Sequence, residues 1–155
     1  MVKASTTTYL VFSIILLASL SHAQTTVTLD LSDHTQLIYD EVVTLSKGDT
    51  LELILKENPS TGYIWQILDE LALPSQLTLR ASQHVASENR RGAVGTAGVR
   101  KFLITAIEEG EGEFKIVHGR SWEIKAKLER GEDVSESVGK VIRFKVSAEV
   151  PDKGL

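Results

Sequence analysis

The chain has 155 residues, a formal charge of −4 and no cysteine. Mild acidity without a basic stripe argues against a nucleic-acid binder. The missing thiols exclude disulfide staples and a cysteine nucleophile, so a core sized for one domain must hold the fold alone.

Residues 1–23 read as a secretory signal peptide. Lys3 is followed by an apolar run over 9–20 and by small residues at Ser21 and Ala23. That run is shorter than the roughly 20 residues that span a bilayer, so no permanent anchor is expected. Cleavage after Ala23 would remove one lysine and no acid, leaving a slightly more acidic chain over 24–155. The expectation is a soluble protein of the secretory pathway, secreted or held in a vesicular or lysosome-like compartment. No membrane association is expected after signal removal. Pro59 blocks glycosylation in Asn58-Pro59-Ser60.

The mature chain alternates polar and apolar residues along most of its length. "TTVTLDL" alternates through Val27, Leu29 and Leu31; "EVVTLSKGDTLELIL" gives a strand, a turn at Lys47-Gly48-Asp49 and another strand. "YIWQIL" follows a turn, and "QLTLRASQHV" alternates through Leu77, Leu79 and Ala81. "RKFLITAIEEGEGEFKIVHG" reads as two strands around an acidic hairpin tip. In "KVIRFKVSAEV" the apolar face is Ile142, Phe144, Val146 and Ala148. Period-two strands with recurring turns predict an all-β, antiparallel β-sandwich. Two weak helical candidates, "ILDELAL" and "SWEIKAKLERGEDVSES", do not change this. Residues 128–139 read as a long exposed loop.

Catalytic chemistry is thinly supplied. His34, His84 and His118 have no metal-ligand spacing and read as surface or strand-end residues. There is no G-x-S-x-G elbow, and Gly92, Gly95 and Gly98 do not lead a strand into a helix as a phosphate cradle requires. Neither an enzyme nor a cofactor or metal site is expected.

Three loops carry more than a turn needs. In "ENPSTGYIW", Ser60 and Thr61 stand between Pro59 and Gly62, with Tyr63 and Trp65 after them. In "RRGAVGTAGVRKF", clustered glycines permit positive φ or close backbone approach, though taken alone they favour a flexible β-arch. In "HGRSWE", Arg120 and Trp122 are residue types favoured at interface hot spots; a Trp tucked into the sandwich edge with Arg120 solvated is the alternative. Trp65 shares its side with Tyr63 and Ile67 by alternation and should face the core.

Together, the three loops resemble the chagasin-type inhibitors of papain-like cysteine peptidases. "NPSTGYIW" is similar to that family's Asn-Pro-Thr-Thr-Gly-aromatic-x-Trp signature, "GTAGVRKF" to its G-x-G-G-x-x-x-F segment, and "RSWE" to its Arg-Pro-Trp loop. The motifs keep the family's order. Ser60 replaces a Thr but keeps a hydroxyl, Ala97 stands at a usual Gly, and Ser121 replaces Pro, which should loosen the backbone before Trp122. The segment after Trp122 is longer than the family's.

The resemblance implies an immunoglobulin-like sandwich with three binding loops at one end. It implies a monomeric, tight-binding inhibitor of peptidases such as papain and cathepsin L-like enzymes. Asn58, Pro59, Ser60, Thr61, Gly62 and Tyr63 would meet the catalytic Cys–His pair. Gly95, Ala97, Gly98 and Val99 would line one side of the cleft, and Arg120 and Trp122 the other. A secreted immunoglobulin-like binding or adhesion module is the alternative function.

Overall fold

A computed structural model describes residues 24–67, 73–87, 97–132, 134 and 139–148. The expected signal, Gly95 and most of the "ILDELAL" candidate (68–72) lie outside these residues. Eight strands are described: β1 (Thr26–Asp30), β2 (Ile38–Ser46), β3 (Thr50–Glu57), β4 (Ile64–Gln66), β5 (Leu77–Ala86), β6 (Gly98–Ala106), β7 (Gly110–Gly119) and β8 (Gly139–Ser147). One helix, α1 (Ser121–Glu129), lies between β7 and β8. The strands form two four-stranded sheets, ordered β1-β3-β6-β5 and β2-β8-β7-β4.

Alternation explains why two sheets pack face to face. Leu51, Leu53 and Leu55 of β3 point inward with no exposed surface, as do Leu45, Ile104, Ile116 and Ile142 from the other strands. Phe102, Phe114, Phe144 and Trp65 fill the space between them. Each such side chain contributes about 1.5–3 kcal/mol by leaving water. This is the expected immunoglobulin-like sandwich. The β3–β6, β5–β6, β4–β7 and β7–β8 pairs are antiparallel. Each sheet also contains a parallel pair, β1–β3 and β2–β8, which alternation along single strands could not reveal.

The acidic run is not a hairpin tip. Gly110–Gly119 is strand throughout, pairing with β8 rather than with β6, so the turn before it crosses from one sheet to the other. The turn at Lys47-Gly48 crosses in the same way. Lys47 N–H donates to the Ser147 carbonyl and Gly48 N–H to the Ala106 carbonyl, one in each sheet.

The segment after Trp122 bears out the helical candidate "SWEIKAKLERGEDVSES" over Ser121–Glu129, but corrects the expectations for Ser121 and for residues 128–139. Ser121–Glu129 is helical, so Ser121 opens an ordered turn of helix rather than loosening the backbone. The following stretch is not simply an exposed loop: Val134 is buried with Val117 and Ile124, and Leu128 packs against them.

Candidate functional site

Strand register brings the three loops to one end. Glu57, the last residue of β3, pairs with Gly98, which also pairs with Ala86 of β5. Ile64, the first residue of β4, pairs with Gly119, the last of β7. The loop over 58–63, the β5–β6 connection and the β7–α1 junction therefore leave the sandwich side by side.

The first loop is a prebuilt bend. Pro59–Thr61 forms one turn of 3-10 helix capped by Asn58, and Gly62 closes it in the left-handed region at φ 78°. Ser60 Oγ donates to Asn58 Oδ1 at 2.7 Å, and Thr61 Oγ1 donates to the Asn58 carbonyl at 2.9 Å. Both hydroxyls thus hold the bend from inside. Their remaining lone pairs stay available to a partner, since a hydroxyl accepts as well as donates.

The third loop braces the first. Arg120 places its guanidinium carbon 4.9 Å from the Tyr63 ring centroid and 5.9 Å from that of Trp122. Its Nη1 donates to Glu123 Oε1 at 3.0 Å, whereas its Nε is buried with no hydrogen-bond partner among the described residues. Trp122 is 61% exposed, so the tucked-in alternative does not hold; Arg120 is the half-buried member.

An aromatic column runs from this rim into the core. Trp65 is 8% exposed, as expected for a core residue, and stacks on His118 at 4.5 Å across the β4–β7 pair. Tyr63 lies on the same side, 5.8 Å from His118, but is exposed because it precedes β4 at the sandwich rim. Burial lowers the His118 pKa below the ordinary value, with the Glu57 charge opposing. The histidines are not bare surface groups. His34 Nδ1 lies 3.3 Å from the buried Lys140 Nζ, and His84 meets Glu57.

The second loop is described from Ala97 onward. Ala97 is exposed, while Gly98 and Val99 belong to β6 and are buried and half-buried respectively. Gly98 is required by close approach: a Cβ there would lie 2.2 Å from the Val85 carbonyl oxygen. Gly95 falls outside the described residues.

Sequence reasoning missed the group beneath these loops. The Glu57 side chain is fully buried and accepts the Trp65 N–H at 2.7 Å and Arg100 Nη2 at 2.8 Å, with His84 Nδ1 at 3.1 Å. The available signal was alternation, which puts position 57 on the face of Leu51, Leu53 and Leu55.

A family model described as chagasin family peptidase inhibitor I42 matches residues 44–134, which contain all three loops. The chain belongs to the chagasin family. Amoebiasin-1 of Entamoeba histolytica is 32% identical over 80 residues, covering 52% of this chain and 74% of that protein. Amoebiasin-2 of the same organism is 33% identical over 82 residues, covering 51% of this chain and 62% of that protein, under two thirds of its length. Among solved structures, the solution structure of Amebosin has a TM-score of 0.53 at 24% identity, covering 81% of this chain and all of that one. A cysteine protease inhibitor from Entamoeba histolytica has a TM-score of 0.53 at 20% identity, covering 81% and 97%. These two show the shared sandwich. The chagasin family is one of peptidase inhibitors, so this chain is an inhibitor-family protein and not an enzyme.

Proposed function

We propose that the protein is a reversible, tight-binding inhibitor of papain-like cysteine peptidases that inserts three loops into the active-site cleft. Residues 58–63 meet the catalytic Cys–His pair. Gly95, Ala97, Gly98 and Val99 follow one wall of the cleft, and Arg120 with Trp122 the other. The observation that carries this reading is the first loop itself. It is a bend closed by its own hydroxyls and braced by Arg120 and Trp122, so little ordering remains to be done on binding. The exposed Trp122 supplies the anchor of a hot spot.

The N-terminal 23 residues direct the chain into the secretory pathway, and the mature protein acts as a monomer. Residual activity of papain and of a cathepsin L-like enzyme, titrated with residues 24–155, tests the function. A stoichiometric fall supports inhibition; full activity at micromolar protein points to a binding module of another kind.

A further inference from the structure

The apolar inner face of the first sheet ends in charge. On β3, Leu51, Leu53 and Leu55 are followed on the same face by Glu57; on β6, Ile104 and Phe102 are preceded by Arg100, which pairs with His84 of β5. The Glu57 side chain has no exposed surface, against 15% for Arg100 and 21% for His84.

The geometry points to Glu57 as a positioning residue for inhibition, one that locks the first and second loops into a single binding edge. This rests on the inhibitory function proposed above. Glu57 cannot touch a peptidase, because it is buried; it acts through the backbone. Its Oε2 accepts the Trp65 N–H, which fixes the exit of the first loop against its entrance. Trp65 Nε1 donates to the Lys56 carbonyl at 2.8 Å and closes the same loop a second time. The carboxylate also takes Arg100 Nε at 3.1 and 3.2 Å and Nη2 at 2.8 Å, with His84 at its Oε1. Arg100 and His84 sit on the two strands that the second loop joins. One buried group therefore holds four pieces of backbone.

Stability alone does not call for such a group. A buried ion pair is commonly matched or exceeded by apolar side chains of similar volume, whereas apolar packing sets no hydrogen-bond direction. Loops that enter one groove together must keep their mutual position, since an error of about 1 Å is enough to cost affinity or rate. A carboxylate bonded in several directions meets that need.

The test uses residues 24–155 carrying the double change Glu57→Gln with Arg100→Met, and separately Arg100→Lys. The first removes both charges together and leaves an acceptor for the Trp65 N–H; the second keeps the charge but loses the planar fork. Three quantities are read: melting temperature, the inhibition constant for papain well below the melt, and amide exchange over 58–65 and 97–100. The double variant is expected to melt near the wild-type temperature. It should inhibit at least about tenfold more weakly, with faster exchange in both segments, and Arg100→Lys should fall between. Folded variants with unchanged inhibition constants would overturn the inference while leaving the inhibitory function standing. If the wild type itself does not inhibit, the function fails and exchange decides the positioning: acceleration in both segments upholds it, and in one or neither refutes it.

Discussion

Trp122 occupies the place where Gly62 would carry a side chain. A Cβ built on Gly62 lies 2.9 Å from Trp122 Cη2, and the glycine sits at φ 78°. First and third loops are thus fitted to each other before any partner arrives. Gly62→Ala must both leave the left-handed preference of glycine and push the indole aside. The conformational cost is about 1–2 kcal/mol, only partly offset by the gain of about 0.4–1 kcal/mol from a stiffer unfolded chain. The expected outcome is a lower melting temperature and a weaker inhibition constant, the second larger than stability explains. Thermal melts and papain inhibition on one sample check this.

The two tryptophans should separate by role. Trp122 is exposed at the rim, and its replacement by Ala should weaken inhibition by about 2 kcal/mol or more while the melt barely moves. Trp65 is buried, stacked on His118 and bonded to the Lys56 carbonyl. Trp65→Ala should therefore destabilise by roughly 3–5 kcal/mol. The opposite pattern in melts and inhibition constants would place the wrong indole at the interface.

Removing both loop hydroxyls tests preorganisation. Ser60→Ala with Thr61→Ala deletes the bonds to Asn58, each contributing about 0.5–1.5 kcal/mol to the bend. Inhibition should weaken but persist, because Arg120 and Trp122 still engage. The bend also presents no extended segment for attack, so the wild-type loop should survive prolonged incubation with a stoichiometric peptidase. Intact-mass spectra decide: cleavage within 58–63 that tracks inhibition would show a substrate-like mechanism.

Much of the scaffold was legible because β strands write their burial into the sequence at period two. Leu51, Leu53 and Leu55, and Ile142, Phe144 and Val146, are buried as their alternation implies. Which strands pair was not legible, because β1–β3 and β2–β8 are parallel contacts set by packing and not by a local turn. The acidic run misled for a related reason: Glu111 and Glu113 lie on the exposed face of β7 and look like loop residues only when pairing is unknown. Helix α1 was legible only as a weak candidate, because it buries Ile124 alone and so writes no full 3.6-residue stripe. Glu57 was hidden by its chemistry. A Glu after a Lys reads as solvated, and only Arg100 and His84, distant in sequence, make its burial affordable.

Acid should loosen the column beneath the site. Burial lowers the His118 pKa from its ordinary 6.5, so the unfolded chain takes up this proton at a higher pH than the folded one. The stabilisation is complete above about 6.5 and is lost as pH falls from there toward the lower folded value. His118→Phe keeps a ring for Trp65 to stack on and removes the proton site. Comparing melting temperatures of the two proteins from pH 7.5 to 5, the wild type should fall more steeply below about 6.5. Parallel curves would remove His118 from the acid response.

The most direct measurement is the equilibrium inhibition constant of residues 24–155 against papain, with recovery of activity on dilution. Interfaces of about 1,600 Å² presented by a preorganised partner commonly reach the nanomolar range. A nanomolar or lower constant with reversible recovery is the expected result. No inhibition at micromolar concentration, across papain and several cathepsin L-like enzymes, would contradict the assignment of these loops to a peptidase cleft.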